Sequence, residues 1–542
     1  MTVTDALPDR DATPLTQRRW ITPAAIAVAL LPFVASAISM ASAVGSSFHP
    51  VADQAWIELQ IRDIGHLPVL LGPYSRFEWF HPGPLLYYVL WLPYRLTGSS
   101  AVSLVIGALT VNAAAITGIA LIARRRGGTA LMLVTLTLLA LLERTLGAQF
   151  LRDVWNPSIT VLPLVLLVFL AWTLSMGDAW ALPVAAVVAT FLVQTHVSYG
   201  LLALTIVGVG IVGAVATEWR RRPASAPRRR SWWIGGGVTV AALALLWLPV
   251  AVQQLFRDPG NAGQLYRFFT HHGAEQSWAD AFHAMATQLS LWPEWLRGAG
   301  HPDRYTGALD LTGAMPIPAG LVALAGAAGL AWRKDRAACR LDLIVLAAVL
   351  AGVVAVTRIV GEIFPYLVRW SWALGMLTWL ALAWTAAALW RAGGHASRRP
   401  RVGQATMAAL VAALCVLTVV NVVDAGGAGN PDPAGSRTVA RFTDAILDQL
   451  PTGAGVVELR TGGTGATWIG GGIADELEKR GVTTRVEPAL GFAYGYDRVL
   501  DGEQVRQTVL PMEDADIERD GVPGGFTEIS RSGGLHLFVS DH

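Results

Sequence analysis

Along the chain, apolar residues come in long runs separated by short polar stretches dense in arginine. An apolar run of about 18 residues or more marks a helix that crosses a bilayer. Runs of this kind, some slightly shorter, fall at 21–43, 101–123, 129–147, 159–175, 180–194, 200–217, 232–252, 316–332, 341–358, 367–390 and 403–423. They predict a polytopic α-helical membrane protein with about eleven spans.

Arginine placement orients those spans, because basic loops stay on the cytoplasmic side. The clusters are Arg124 to Arg126, Arg220 to Arg222 with Arg228 to Arg230, Arg333 to Arg340, and Arg391 to Arg401. All fall inside if each run crosses once. The polar tail 1–20, ending in Arg18-Arg19, is then cytoplasmic and the C-terminus extracytoplasmic, in a multi-pass protein of the plasma membrane. A cleaved signal peptide is the competing reading of the first run, since Ala41-Ser42-Ala43 resembles a cleavage site; the run exceeds the usual 7–15-residue core. Residues 83–97 are apolar but short, and a crossing there would move Arg124 to Arg126 outside. They read as lying in the outer leaflet, with Tyr87, Tyr88 and Trp91 suited to the interface.

On this reading the transmembrane domain, 21–423, carries outer loops at 44–82 and 253–315. In the second loop Trp278, Phe282, Met285, Leu289 and Trp292 recur at helical spacing, which predicts one face of a helix resting on the membrane surface. Residues 424–435 are rich in Gly, Pro and Asn and read as a linker to an extracytoplasmic α/β domain, 436–542. Within it Val439, Phe442 and Ile446 predict a helix, 456–460 a strand, 467–480 a helix, 483–486 a strand and 535–540 a last strand. The central β-α-β order predicts a parallel pair.

Composition narrows the function. The 542 residues are 53% hydrophobic and only 15% charged, against roughly 25% charged in a soluble domain. A net charge of +2, with Lys334 and Lys479 the only lysines, leaves no basic tail for nucleic acid. Cys339 and Cys415 are far apart and suggest neither a disulfide framework nor a thiolate metal site. The turn Gly463-Thr-Gly465-Ala-Thr-Trp468 half-matches a dinucleotide fingerprint but has Trp468 in place of the third glycine. A simple glycine turn is the preferred reading.

The first outer loop is more informative. It runs Asp53-Gln-Ala-Trp56-Ile-Glu58-Leu-Gln-Ile-Arg62-Asp63, then Arg76-Phe-Glu78-Trp79-Phe80-His81-Pro82-Gly83-Pro84-Leu-Leu-Tyr87-Tyr88. This order resembles the start of the GT-C glycosyltransferases, in particular the group that includes protein O-mannosyltransferases and lipid A aminoarabinose transferases. In that group an Asp about ten residues past the first span is followed by an aromatic, an acidic residue and an arginine, and precedes a Lys-Pro-Pro-Leu-Tyr-Tyr-like motif. Here His81 stands at the lysine position and Gly83 at the second proline. The resemblance, carried by about residues 20–100, implies a GT-C-like fold and a transferase using a lipid-linked sugar. It implies Asp53 as a catalytic carboxylate, with Glu58, Arg62, His81 and Tyr87 as substrate-binding residues.

Elementary chemistry leads the same way. Nucleotide sugars are made inside, so a transferase with outer active loops needs a donor that crosses as a lipid, most simply a polyprenyl-phosphate sugar. Inversion requires a carboxylate to take the proton of an acceptor hydroxyl while phosphate departs from the opposite face. Fixed positive charge or hydrogen-bond donors must meet that phosphate. Asp53 is the candidate base, against a structural role as N-cap of the helix beginning near Gln54. Asp153 offers a second catalytic carboxylate and Arg152 a substrate contact, although Arg152-Asp153 reads equally well as a turn capping the next helix. Arg358 and Arg369, at outer span ends, are phosphate-contact candidates, with an Arg358–Glu362 pair as the alternative for the former. Histidines 49, 66, 81, 196, 271, 272 and 301 fall on outer segments without zinc-type spacing. No built-in cofactor is expected, and a divalent ion shared by Asp53 and the donor phosphate stays open.

The expected function is therefore an inverting glycosyltransferase taking a sugar from a polyprenyl phosphate to an extracytoplasmic glycan, lipid or protein. The rivals are a transporter or flippase of envelope precursors, which would place ionisable residues at mid-membrane, and a non-catalytic envelope scaffold. Topology is checked with single cysteines at Ser75, Ser277 and Ser436 in a chain lacking Cys339 and Cys415. All three should react with an impermeant reagent on intact cells; protection of position 75 while 277 labels breaks the common-side assignment.

Overall fold

The computed structural model describes residues 20–541 except 78, 222–224, 258–259, 272–275, 298–306, 394–399, 451–454 and 462. The tail before residue 20, Glu78, His272 and His301 thus lie outside the described residues. Among the described residues, eight helices are long and apolar enough to cross a membrane, and two shorter apolar helices, Ala181–Thr195 and Ala319–Ala331, accompany them. Together they carry all eleven runs, because 101–123 and 129–147 both lie on Ala101–Leu146. That element is broken at Gly128, whose φ of 71° and ψ of −166° are non-helical. The chain folds back there: Asn112 donates to the Leu151 carbonyl at 2.8 Å, joining positions 39 apart. The Val161–Ser175 helix is apolar on every side and buried on every side, so it is the central post of the bundle.

The bundle has two chemically different ends. At one, Arg124 donates to Thr22, Arg125 and Arg126 meet Asp178, Arg228 pairs with Glu218 and Arg340 donates to the Ser175 carbonyl. At the other gather the helix Ala52–Asp63, the Leu85–Leu96 helix, the 261–296 segment and the C-terminal domain. Leu85–Leu96 spans about 18 Å at 1.5 Å per residue, short of the ~30 Å hydrocarbon core, and packs Leu86, Leu90 and Tyr94 inward.

The segment 278–292 departs from expectation. Its aromatic and aliphatic positions do not form one surface-resting face: Met285 and Leu289 are buried in the main core, whereas Trp278, Phe282 and Trp292 are exposed. The helix Trp278–Leu289 ends before Trp292. Its second half docks on the bundle, where Gly352 leaves room for the Met285 methyl. The Pro400–Gly427 helix runs past 423, and Asp432 caps the next helix, Pro433–Gln449, by accepting the Gly435 N–H at 2.8 Å. Only 428–432 is left as a non-helical link.

The C-terminal domain is a five-stranded sheet of order β2-β1-β3-β5-β4, with β1 at Val456–Leu459, β2 at Thr483–Val486, β3 at Val505–Glu513, β4 at Thr527–Ser532 and β5 at Leu535–Asp541. β1 pairs in parallel with β2 and β3, and β5 pairs antiparallel with β3 and β4. Helices Pro433–Gln449 and Thr464–Lys479 pack on it, burying Val439, Phe442, Ile446, Ile473 and Leu477. Trp56 and Leu59 of the first-loop helix join that same core.

An ionic lattice seals the contact. Lys479 reaches Glu58 at 2.8 Å, Asp475 at 2.5 Å and Glu476 at 3.1 Å. Arg62 meets Asp475 at 2.9 Å, and Arg498 bridges Asp63 and Glu478 at 2.7 and 2.8 Å. Five carboxylates face three cations here, so burial and the charge of Asp475 push the Glu58 carboxyl up from its ordinary range. Breaking a buried pair by removing one partner costs about 3–5 kcal/mol, because the other charge is stranded. Lys479→Met should therefore undock the C-terminal domain, seen as a lowered Tm and faster proteolysis at 428–432. Glu58→Gln, which removes a charge that burial already disfavours, should cost much less; equal loss in both variants refutes the electrostatic account.

Candidate functional site

A cleft of ≈ 420 Å³ opens between the first-loop helix and the C-terminal domain. Asp53, Trp56, Ile57, Gln60 and Asp63 line it, the i, i+3/i+4, i+7 spacing of one helix face. Leu67 to Tyr74 and Phe80 form a second wall, and Phe492 to Arg498 of the C-terminal domain a third. Arg257, Asn261 and Gln264 close the remaining side. Asn261 is fixed there by exchanging hydrogen bonds with the Phe80 backbone at 3.0 and 2.9 Å.

Asp53 sits in the first turn of Ala52–Asp63, not at its cap. The cap position is Val51, with no side-chain cap, so the N-cap alternative for Asp53 has no geometric basis. Ala52 immediately before it has φ of 49°, a left-handed conformation costing about 1–2 kcal/mol for an L-residue. The Tyr74 hydroxyl and the Trp155 indole lie close enough to the Asp53 carboxylate to favour its ionised form. Burial nevertheless dominates, and with a smaller push from Asp153 it raises the carboxyl to about 6. A second ring of aromatics backs this one: Trp56 stands edge-on to Tyr74 at 5.1 Å, and Trp155 lies 4.8 Å from Tyr366. Tyr87 borders the cleft close enough for Asp53 to act on its hydroxyl.

The other expected residues separate into distinct groups. Asp153 lies just behind Asp53, but its oxygens are engaged: they accept from Gln54 at 3.1 Å, the Trp155 N–H at 3.1 Å and Ser158 at 2.8 Å. These bonds tie the turn before the helix Asn156–Ile159 without capping it, since its N-cap is Trp155 with no side-chain cap. Arg152 turns away and donates to Gln149 and to the carbonyls of Ala428 and Gly429. Glu58 and Arg62 occupy the opposite face of the Asp53 helix, inside the ionic lattice. His81 packs behind the 72–73 wall, its ring 4.5 Å from that of His196. Its Nδ1 accepts the Val197 N–H at 3.1 Å, and burial with the neighbouring His196 holds it well below the ordinary histidine value. It is neutral at physiological pH and supplies no fixed charge. Arg369 is buried with its guanidinium 4.2 Å from the Trp372 ring. Arg358 is exposed, and no ion pair with Glu362 forms.

Other residues at the cleft carried no role in the sequence reading. Tyr74, Trp155 and Tyr366 contact or back Asp53 from three separate segments. Arg257 lines the cleft and makes no ion pair among the described residues; Arg76 donates to the Val360 carbonyl at 3.0 Å beside Phe364. The Gly463 turn does open a helix after a strand, yet the Asp516 carboxylate lies against it, 2.1 Å from where a Gly463 Cβ would stand. A phosphate would meet that carboxylate. Among the described residues no three His, Cys, Asp or Glu side chains gather as a metal ligand set.

The raised Asp53 value has a sign. A carboxyl bound more tightly to its proton when folded gives stability that is full below its unfolded value and lost as pH rises to about 6. The loss is about 3 kcal/mol for a shift of roughly two units. Asp53→Asn should thus match the parent near about pH 4 and exceed it near about pH 7.5 in denaturant unfolding. A variant less stable at the higher pH overturns the burial account.

No protein-family model matches this sequence, and no curated protein matches it. Solved structures do match in fold, among them two of one protein. The crystal structure of ArnT from Cupriavidus metallidurans bound to undecaprenyl phosphate aligns at 13% identity with a TM-score of 0.55, covering 96% of this chain and 98% of that one. The apo-state structure of the same protein aligns at 14% identity with a TM-score of 0.54, covering 96% and 97%. Over nearly its whole length, transmembrane helices and C-terminal sheet domain alike, this chain has the fold of those two structures.

Proposed function

We propose that this chain is an integral-membrane glycosyltransferase that moves a sugar, with inversion, from a polyprenyl phosphate to an extracytoplasmic acceptor. The carrying observation is Asp53, a half-buried carboxylate with a value raised to about 6, set in an open cleft at one end of a membrane bundle. Two things support the donor class. The cleft adjoins the membrane-embedded helices, and the solved structure of the same fold has undecaprenyl phosphate bound.

In this reading Asp53 removes the proton of the acceptor hydroxyl, and the freed oxygen attacks the anomeric carbon. The bond from that carbon to the phosphate oxygen breaks on the opposite face, and polyprenyl phosphate leaves with the electron pair. A base whose value lies just below working pH is ionised yet still basic, the condition general-base catalysis favours. Tyr74 and Trp155 hold the carboxylate in one orientation. Fixed charge for the departing phosphate comes from Arg257, which borders the cleft without an acidic partner among the described residues. Tyr87, Asn261 and Tyr496 line the sugar's space, and the C-terminal domain shapes the acceptor side.

Asp53→Asn should fold and bind donor like the parent yet transfer at least about a hundredfold more slowly. The parental rate should fall on the acid side with a midpoint at about 6. Arg257→Gln should instead raise the KM for donor. The assay is transfer from a synthetic short-chain polyprenyl-phosphate sugar by enzyme in nanodiscs, with donor binding measured separately. Near-parental transfer by Asp53→Asn would rule out Asp53 as the base.

A further inference from the structure

At the bundle end opposite Asp53, the helices Tyr199–Arg220, Ala319–Ala331 and Arg336–Val356 leave a cavity of ≈ 460 Å³. Arg220 ends its helix and Arg336 begins another, so Arg220, Arg333, Arg336 and Arg340 form the rim. Trp332 stands beside them, 61% exposed. Val209, Val212, Leu343 and Ile344 line the wall one to three helical turns deeper. Val212 is 69% exposed, so this wall opens sideways, where lipid chains lie.

The charges at this rim are unbalanced by the protein. Arg220, Arg221 and Arg336 all lie close enough to act on Arg340. The nearby carboxylates are engaged elsewhere: Glu218 with Arg228 at 2.6 Å, Asp178 with Arg125 at 2.6 Å, Asp335 with the N–H groups of Ala337 and Ala338, and the buried Asp342 with the Thr385 hydroxyl. Among the described residues Arg220, Arg333 and Arg336 form no ion pair. Several like charges around one concavity repel each other unless an anion sits among them. The guanidinium fork matches a phosphate group bidentately. A charged rim over a laterally open apolar wall also fits one particular shape, a phosphate head continuing into a hydrocarbon tail. Neither a soluble anion nor a neutral lipid uses both parts.

We propose that this cavity is a binding site for an anionic phospholipid, whose phosphate sits among Arg220, Arg333, Arg336 and Arg340 and whose acyl chain lies along Val209, Val212, Leu343 and Ile344. The site is remote from the Asp53 cleft and does not depend on the function proposed for it. It gives the bundle a preferred lipid at the basic end, bracing the helices Tyr199–Arg220 and Arg336–Val356 against each other.

The test uses the full chain in detergent, titrated with phosphatidylglycerol, phosphatidylcholine or inorganic phosphate. Bound lipid is counted by native mass spectrometry, and Tm is followed in parallel. Phosphatidylglycerol should be retained and raise Tm, with phosphatidylcholine doing neither. Each arginine near an anionic head is worth about fivefold in binding, so Arg333→Gln with Arg336→Gln should weaken phosphatidylglycerol binding about 25-fold. Both side chains are exposed; if that pair fails to fold, Arg220→Gln alone reads the fivefold loss. Arg229→Gln with Arg230→Gln, at the same end but off the cavity, should leave binding unchanged. Equal retention of the two lipids, equal loss in the control pair, or a Tm rise from inorganic phosphate alone that matches phosphatidylglycerol each overturns the proposal.

Discussion

The contact between the helix Ala52–Asp63 and the C-terminal domain governs the geometry of everything around it. One face of this twelve-residue helix carries Asp53 into the cleft; another carries Glu58 and Arg62 into a lattice of buried charge. Because Phe492 to Arg498 form a wall of the same cleft, the cleft exists only while that lattice is closed. Asp63 and Arg498 belong to both, pairing with each other and bordering the open space. Burying such pairs is weak as a source of net stability, since desolvation consumes most of the Coulombic gain. It is strong as a source of register: a shift of one residue would leave several charges without partners. Trp56 and Leu59 supply the apolar area that favours docking, and the ions select one docked arrangement.

Asp53 shows the opposite use of burial. In the lattice, desolvation is countered by cations at 2.5 to 3.1 Å; around Asp53 it is countered only by neutral donors and the first-turn dipole. That leaves a carboxylate poised between protonated and ionised forms. The aromatic surroundings of Trp56, Tyr74, Trp155 and Tyr366 bring apolar ring surface against it together with the Tyr74 hydroxyl and the Trp155 indole N–H. His81, packed on His196, is held neutral by the same burial, whereas Arg257 reaches the cleft from another segment.

Much of this architecture is legible in the sequence. Spans and basic loops are collective signals, summed over many residues, and all eleven runs found helices. The order Asp53, Trp56, Glu58, Arg62 marked a helix that lines the cleft, but Glu58 and Arg62 face the C-terminal domain, since spacing alone does not say which face meets which partner. Asp53 is legible from its position after the first span, whereas Tyr74, Trp155 and Arg257 are single residues brought together from distant segments with no local pattern. Strand β3 was hidden because Pro511 and the polar Arg506-Gln507-Thr508 break the look of a central strand. It is central nonetheless, paired in parallel on one side and antiparallel on the other.

Arg62 and Asp475 are 413 positions apart, and that separation has a consequence in time. A chain made at roughly 5–20 residues per second presents the first-loop helix tens of seconds before its docking partner emerges. Throughout that interval Glu58, Arg62 and Asp63 remain hydrated and the wall from Phe492 to Arg498 does not yet exist. The cleft is therefore assembled last, after the whole bundle is inserted and the final hundred residues have folded. A ribosome that stops early leaves a bundle in the membrane without a closed cleft, so completeness of synthesis is written into the site itself.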